Sequence, residues 1–377
     1  MDPAYGAGAL SDVTPSALTA LGVPGSRDVL GLGRAEHLVL LLVDGLGWEQ
    51  LGAYRQDAPF LAGLLPAGRP IPAGFPSTTA TSLAGIGTGL PPGGHGIVGM
   101  AFEVGAGPDT AVLHALRWQQ HGDDLRDRFP PEQLQPVPTV FERMAADGVA
   151  VRVVVPAPFV GSGLTRAVLR GGEPRGVRAL GDLAAAATSA PEADRTFRYA
   201  YHGDLDLLGH VHGPGSEPWR LQLAQVDLLA RSIAERLPAG GLLLVTADHG
   251  MIEVGGSDRV EVGTLPELRA GVRRLAGEPR ARHVYARPGA AADVLAAWRG
   301  TLGDRAWVLS RAEAVAAGWF GPVRDGVLPR IGDVVAAARG STVLVRPDAE
   351  PVLTELVGQH GSLTPAELLV PLLAYRA

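Results

Sequence analysis

Three stretches of this chain are continuously apolar and then stop at a turn: HLVLLLVDG (His37 to Gly45), VRVVVPA (Val151 to Ala157) and GLLLVTADHG (Gly241 to Gly250). A strand with one wet face alternates apolar and polar residues. A run without alternation belongs to a strand covered on both faces, as in a parallel sheet flanked by helices. Helical segments lie between the runs. PTVFERMAADG (Pro138 to Gly148) has proline at its start and glycine at its end. The segment from Glu217 repeats apolar residues at helical spacing, with Leu221, Leu228, Leu229 and Ile233 as its stripe. The expectation is an α/β fold with a three-layer core and a mostly parallel central sheet.

With 377 residues, the chain has the length of two to three domain-sized units, or of one large α/β core with an insertion. A hydrophobic content of 46% with 19% charge is that of a globular protein. The formal charge of −6 argues against a nucleic-acid surface. Cysteine is absent, which excludes disulfides and thiolate metal sites. Lysine is absent too, so all 33 basic residues are arginines and no lysine can serve in a mechanism. The N-terminus lacks a basic start followed by an apolar stretch, and no run approaches the ~18 residues of a membrane span. The chain therefore reads as a cytoplasmic protein acting on a small molecule, without membrane contact.

Residues 1–36 are punctuated by proline and glycine and are expected to wrap the surface, with a short helix from Ser16 to Leu21. Residues 101–135 read as an irregular polar excursion, and a helix is expected around Leu180 to Thr188. From about Val254 the pattern changes: HVYARPG, AADVLAAWRG, RAWVLS and RAEAVAAGW form a small β–α–β–α unit. The division expected is a core of residues 1–253 and 341–377 with an inserted α+β cap, 254–340. STVLVRP (Ser341 to Pro347) looks like a return strand, and Thr364, Pro365 and Glu367 resemble a helix start with a capping box.

Candidate ligands follow the strand-like segments: Asp44, Asp206 with His210, and Asp248 with His249; His360 sits in a glycine-flanked turn. Sites in an open parallel sheet form outside the carboxyl ends of the strands, so these turns would converge. Carboxylates and imidazoles without sulfur suit zinc, manganese or similar divalent ions. Asp44 could equally cap a helix from Trp48 to Tyr54. FPSTTATSLAGIGTG (Phe75 to Gly89) gathers Ser77, Thr78, Thr79, Thr81 and Ser82 ahead of a helix-compatible run. Such hydroxyls cap a helix, or one of them is a nucleophile if something activates it. His202 and His212 flank the Asp206 segment, His95 lies in a glycine-rich loop, and His283 begins a strand of the insert without evident chemistry.

The motifs LLLVDG, FPSTTATS…TG, HGIVG, DLLGHVHGPG, TADHGM and QHGSLTPAELLVPL, in this order, resemble the alkaline phosphatase superfamily and within it the type I phosphodiesterase/nucleotide pyrophosphatase proteins. The resemblance implies an alkaline-phosphatase-like core and two divalent ions, most simply zinc. Asp206, His210 and His360 would hold one, and Asp44, Asp248 and His249 the other. Thr79, four residues after Phe75, would be the nucleophile and a further ligand, passing through a phosphothreonine. Two ions ~4 Å apart clamp the attacking and leaving oxygens of an in-line displacement. Thr78 stands where nucleotide pyrophosphatases commonly carry lysine. Met100 stands where they carry an asparagine that grips a phosphoryl oxygen. The backbone N–H of Thr79 at its helix start is one expected replacement, and a side chain from 101–135 or 254–345, an arginine above all, is the other. The implied activity is hydrolysis of a phosphodiester or nucleotide pyrophosphate. The alternatives are a phosphonate (phosphonoacetate-like) or phosphomonoester hydrolase, and a silent metal-binding protein.

Overall fold

A computed structural model describes residues 3–190 and 193–377. The three apolar runs become strands His37–Val43, Ala150–Pro156 and Gly241–Thr246; the first and last are buried almost throughout, while Ala150, Arg152 and Pro156 of the second are half-buried. They lie in a seven-stranded sheet ordered Arg69–Pro72, Leu369–Arg376, Gly241–Thr246, His37–Val43, Thr196–His202, Ala150–Pro156 and Glu173–Val177. The last five of these run parallel, while Leu369–Arg376 is antiparallel to both of its neighbours.

Helices cover both faces, as continuous apolar strands require. Along Thr196–His202, Phe197 and Tyr199 meet Phe141 of the helix Val140–Ala146. Arg198 and His202 face the other way: Arg198 donates to Ala187 O, and His202 bonds Gln222 of the helix Glu217–Ala234. In that helix, Trp219, Leu223, Val226, Ala230 and Ile233 are buried. Leu221 and Leu228, assigned to the stripe from sequence, are 64% and 47% exposed. Steps of four and three residues keep the first set on one line, and Leu221 lies about 200° round from Trp219.

Several local expectations are corrected. Residues 1–36 do not merely wrap the surface: Leu10, Val13, Ala17 and Leu18 are fully buried, and Thr14 Oγ1 donates to Ile86 O. The excursion holds a small sheet of Ala101–Val104, Ala111–His114, Gln119–Gln120 and Asp123–Asp124. The capping box at Thr364 is present, but its helix is only Pro365–Leu368 before Leu369 enters the central sheet. Pro371 is tolerated there because its partner is Pro70, while pairing to the other neighbour begins at Leu373.

In the 254–340 segment, Val272–Glu278, Ala281–Ala286, Val334–Ala338 and Ala306–Ser310 form an antiparallel sheet. Alternation gives this sheet two apolar faces. Val284, Ala286, Val334 and Ala336 pack with Val294, Trp298 and Leu302 of the helix Ala291–Leu302. Ala281, Val335 and Ala337 join the main core. Val343–Val345 pairs with Arg259–Glu261, so the expected return strand never reaches the central sheet.

A fully buried ion pair locks the two parts together. Arg280 donates to Glu367 at 2.5 Å, and Glu367 also accepts from Ser362 N and Thr364 Oγ1. Removing one member of such a pair strands the other charge, at about 3–5 kcal/mol. Arg280→Ala is therefore expected to lower the unfolding free energy by about that amount in urea titrations. Replacing both members by apolar residues should restore part of it.

Candidate metal centre

The three central strands deliver the acids. Asp44 follows His37–Val43, and its N–H continues the parallel ladder to His202 O at 2.9 Å. Asp248 and His249 follow Gly241–Thr246, the neighbour on one side. Asp206 follows Thr196–His202, the neighbour on the other. Gly45 ties these loops together with φ +75°, a conformation that disfavours side chains. A Cβ there would also come within 2.9 Å of Asp206 Cα. Its N–H donates to Asp248 Oδ1 at 3.1 Å.

One of the turns expected after the strands, the segment that carries Asp206 and His210, is the helix Asp204–His212. Asp206 and His210 thus stand one turn apart, with Nε2 3.3 Å from Oδ2. His360 follows Gly358–Gln359, which pairs with Ile252–Glu253, and its ring stacks on His249 at 3.5 Å. Asp44 caps no helix: Gly47 is the N-cap of Trp48–Ala53, without a side-chain bond.

The ligand atoms of Asp206, His210 and His360 lie within 4.8 Å of one another, and so do those of Asp44, Asp248 and His249. Each imidazole is fixed by a backbone carbonyl. Nδ1 of His210 bonds Gly358 O at 2.7 Å, that of His249 bonds Gly250 O at 2.9 Å, and that of His360 bonds Ser77 O at 2.9 Å. In the neutral ring the nitrogen facing a carbonyl carries the proton, so each Nε2, once deprotonated, turns its lone pair to the cluster. His249 Nε2 faces Asp44 Oδ1 at 3.3 Å and Asp248 Oδ2 at 3.5 Å. Asp44 Oδ1, Asp206 Oδ1 and Asp248 Oδ2 are buried without a hydrogen-bond donor. Lone pairs facing lone pairs in a dry site call for a cation between them.

Where no cation stands, protons take its place. Burial, then the Asp44 charge, pushes Asp248 up to about 8. Burial opposes the charge on His249, but Asp248 and Asp44 outweigh it and raise its pKa well above the usual value. Burial and the neighbouring imidazoles drive His360 well below it.

The five hydroxyls of the threonine-rich stretch divide by partner. Ser77 donates to Ser362 O, Ser82 to Asp248 O and Thr81 to Ile97 O. Thr78 is the N-cap of the helix Thr79–Thr88 but makes no side-chain capping bond; its hydroxyl lies beside the carboxyl of Glu278. Thr79 alone turns inward, its Oγ1 3.2 Å from His249 Nε2.

Glu278 escaped the sequence reading, since an acid in a Gly-Glu-Pro hairpin looks like surface. Instead it is buried, with Oε1 unpartnered, and burial pushes it up to about 8. The buried arginines of the insert, Arg280 and Arg282, engage Glu367 and Glu350, so what the insert brings to Thr78 is a carboxyl. A folded-state pKa above the ordinary 4.5 gives stability that is present below that value and lost as pH rises through about 8. Glu278→Gln is therefore expected to flatten the fall in melting temperature between pH 5 and pH 8 and to be the more stable form at pH 8.

His283 ties the insert to the HGIVG loop through Val98 O at 2.9 Å and accepts from Gly332 N at 3.1 Å. His95 is buried and accepts from Ile97 N–H. His202 bonds Gln222 and His212 is exposed; neither is in the two ligand groups.

The helices offer no membrane span: among the described residues none is long and apolar enough to cross a bilayer. Murine ectonucleotide pyrophosphatase/phosphodiesterase 5, an inactive form in complex with AMP, has the same fold. Its TM-score is 0.69 at 16% identity, covering 90% of this chain and 88% of that one. Phosphonoacetate hydrolase from Sinorhizobium meliloti 1021 in complex with phosphonoformate matches equally well, with a TM-score of 0.69 at 20% identity over 91% and 90% of the two chains. A phosphopentomutase of Anaeromyxobacter dehalogenans (strain 2CP-C) is 34% identical over 118 residues, which span 30% of this chain and 28% of that enzyme. The family model for type I phosphodiesterase/nucleotide pyrophosphatase matches residues 38–363, from the first core strand to just beyond His360. Fold and family model agree, and the chain belongs to the type I phosphodiesterase/nucleotide pyrophosphatase family of phosphoric ester hydrolases.

Proposed function

We propose that this chain is a metal-dependent phosphodiesterase in which Thr79 attacks phosphorus and carries the phosphoryl group as a phosphothreonine. The observation that supports this reading is the trio of imidazoles whose Nδ1 atoms are held by carbonyls, with Nε2 facing unpartnered carboxylate oxygens beside Thr79. Asp206, His210 and His360 would hold one divalent ion and Asp44, Asp248 and His249 the other, with Thr79 as a further ligand; the donor set suits zinc. When bound, the ions supply the positive charge that favours the Thr79 alkoxide and the developing charge on the phosphoryl oxygens.

The chain's own residues do the rest. Thr79 Oγ1 forms the new P–O bond as the bond to the departing alcohol breaks. Water then forms a P–O bond while the bond to Thr79 breaks, regenerating the hydroxyl. The Thr79 N–H opens a ten-residue helix, a natural seat for a non-bridging oxygen. Tyr201 donates to Asp44 and fixes its orientation. Residues 254–340 act as a cap over this edge of the core, and the protein works in the cytoplasm on a small phosphoester.

Met100 favours a second reading, a phosphonate or phosphomonoester hydrolase, because a thioether is a poor partner for a phosphoryl oxygen. Bis(p-nitrophenyl) phosphate, p-nitrophenyl phosphate and phosphonoacetate, each assayed with zinc and with manganese, separate the readings. Fastest turnover of the diester, with about two metal equivalents per chain, is the expected result. Fastest turnover of either other compound would replace it with the second reading, and hydrolysis of none would overturn both.

A further inference from the structure

Thr79, Asp44 and Asp206 are among the residues that line a cavity of about 390 Å³. That volume is in the range of small-molecule sites. Its walls are Leu83 from the Thr79 helix, Val155 and Pro156 from the end of a core strand, and Leu164 and Leu169 around the helix Gly163–Val168. Leu116, Phe159 and Leu207 line its mouth at 37%, 45% and 57% exposure. Large apolar side chains left in water singly need no explanation, but a group of them around one opening marks a binding surface.

The polar groups in the lining are largely occupied. Ser162 Oγ bonds Thr165 Oγ1 and accepts the Thr165 N–H, and the Tyr201 hydroxyl bonds Asp44. Tyr199 keeps one unpaired hydroxyl, and Asp204 is exposed to water at the edge. Among the described residues no arginine lines the cavity, and the chain has no lysine. A charged or heavily hydrogen-bonding group entering it would lose its water with little in return.

We propose that this cavity seats one ester substituent of the substrate, and that this substituent is an uncharged hydrocarbon group, aliphatic or aromatic. The proposal rests on the hydrolase reading above for the position of phosphorus at Thr79. Burial of one methylene strengthens binding about fourfold, so chain length is the sensitive variable.

The test uses the full chain and p-nitrophenyl phosphodiesters whose second group is methyl, butyl, hexyl or choline. Values of kcat/KM are expected to climb about fourfold per methylene until the cavity fills, with the choline ester below butyl. Phe159→Ala should flatten that climb, and so should Leu207→Glu, whose exposed position leaves folding undisturbed. Values independent of chain length, or highest for choline, would overturn the proposal. Calorimetry of methyl and hexyl phosphate on Thr79→Ala separates the two readings. If no ester is hydrolysed yet hexyl phosphate binds far more tightly than methyl phosphate, the hydrolase reading fails and the cavity assignment stands.

Discussion

Thr79→Ala is expected to cut turnover of every accepted ester by about a thousandfold or more, the scale of loss when a nucleophile is removed. Thr78→Ala should stay within about tenfold of the parent chain. The two residues are adjacent, but the helix start separates their tasks. Thr78 keeps extended backbone and turns its hydroxyl to Glu278, whereas Thr79 begins the helix and aims Oγ1 at His249 Nε2. Bound metal should survive in the Thr79 variant, because the carboxylate and imidazole ligands remain; elemental analysis of both variants checks this. If Thr78→Ala were the inactive protein, the attacking hydroxyl would be misassigned by one position.

Stripping metal with EDTA should abolish activity and also lower the melting temperature, more at pH 8 than at pH 6. A ligand at a thousandfold excess over its Kd adds about 4 kcal/mol to the folded state. The pH dependence follows from the acids. In the metal-free protein Asp248 is raised to about 8 from an ordinary 3.8, so its contribution is present at low pH and lost as pH rises through about 8. His249 is raised well above 6.5 and acts in the same direction. Metal must displace these protons, so its affinity grows over the same interval. Scanning calorimetry with and without EDTA at the two pH values measures the gap. An equal gap at both would contradict the assignment of these residues to the metal.

The parts legible in the sequence are those whose cause is local. A run such as HLVLLLV has only one comfortable environment, and the acid that ends it must stand at the edge of the sheet. This is why Asp44, Asp248 and His249 could be named before any coordinates. Asp206 and His210 were named too, but their helix was missed because Leu207 and Val211 on its outer side are exposed and blur the periodicity. The apolar N-terminal turn around Val13 and the strand through Pro371 depend on what lies opposite them, which no window of sequence contains. Glu278 belongs to the same class: nothing near it in the chain indicates that Thr78, two hundred residues earlier, shares its burial.

The contacts between insert and core bear on how such enzymes can be recombined. Glu278 reaches Thr78, His283 reaches the loop at Val98, and Arg280 reaches Glu367. Gly361, beside His360, packs against this hairpin at φ +129°, and a Cβ there would lie 2.9 Å from Glu278 Cδ and 3.2 Å from Arg280 Cβ. Excising residues 254–340 would leave Glu367 without its arginine and would remove the hairpin packed against Gly361, beside a candidate metal ligand. The insert is therefore not an exchangeable module. A replacement of residues 254–340 in this chain would have to match Thr78, Gly361 and Glu367 as well, three positions spread far apart in the sequence.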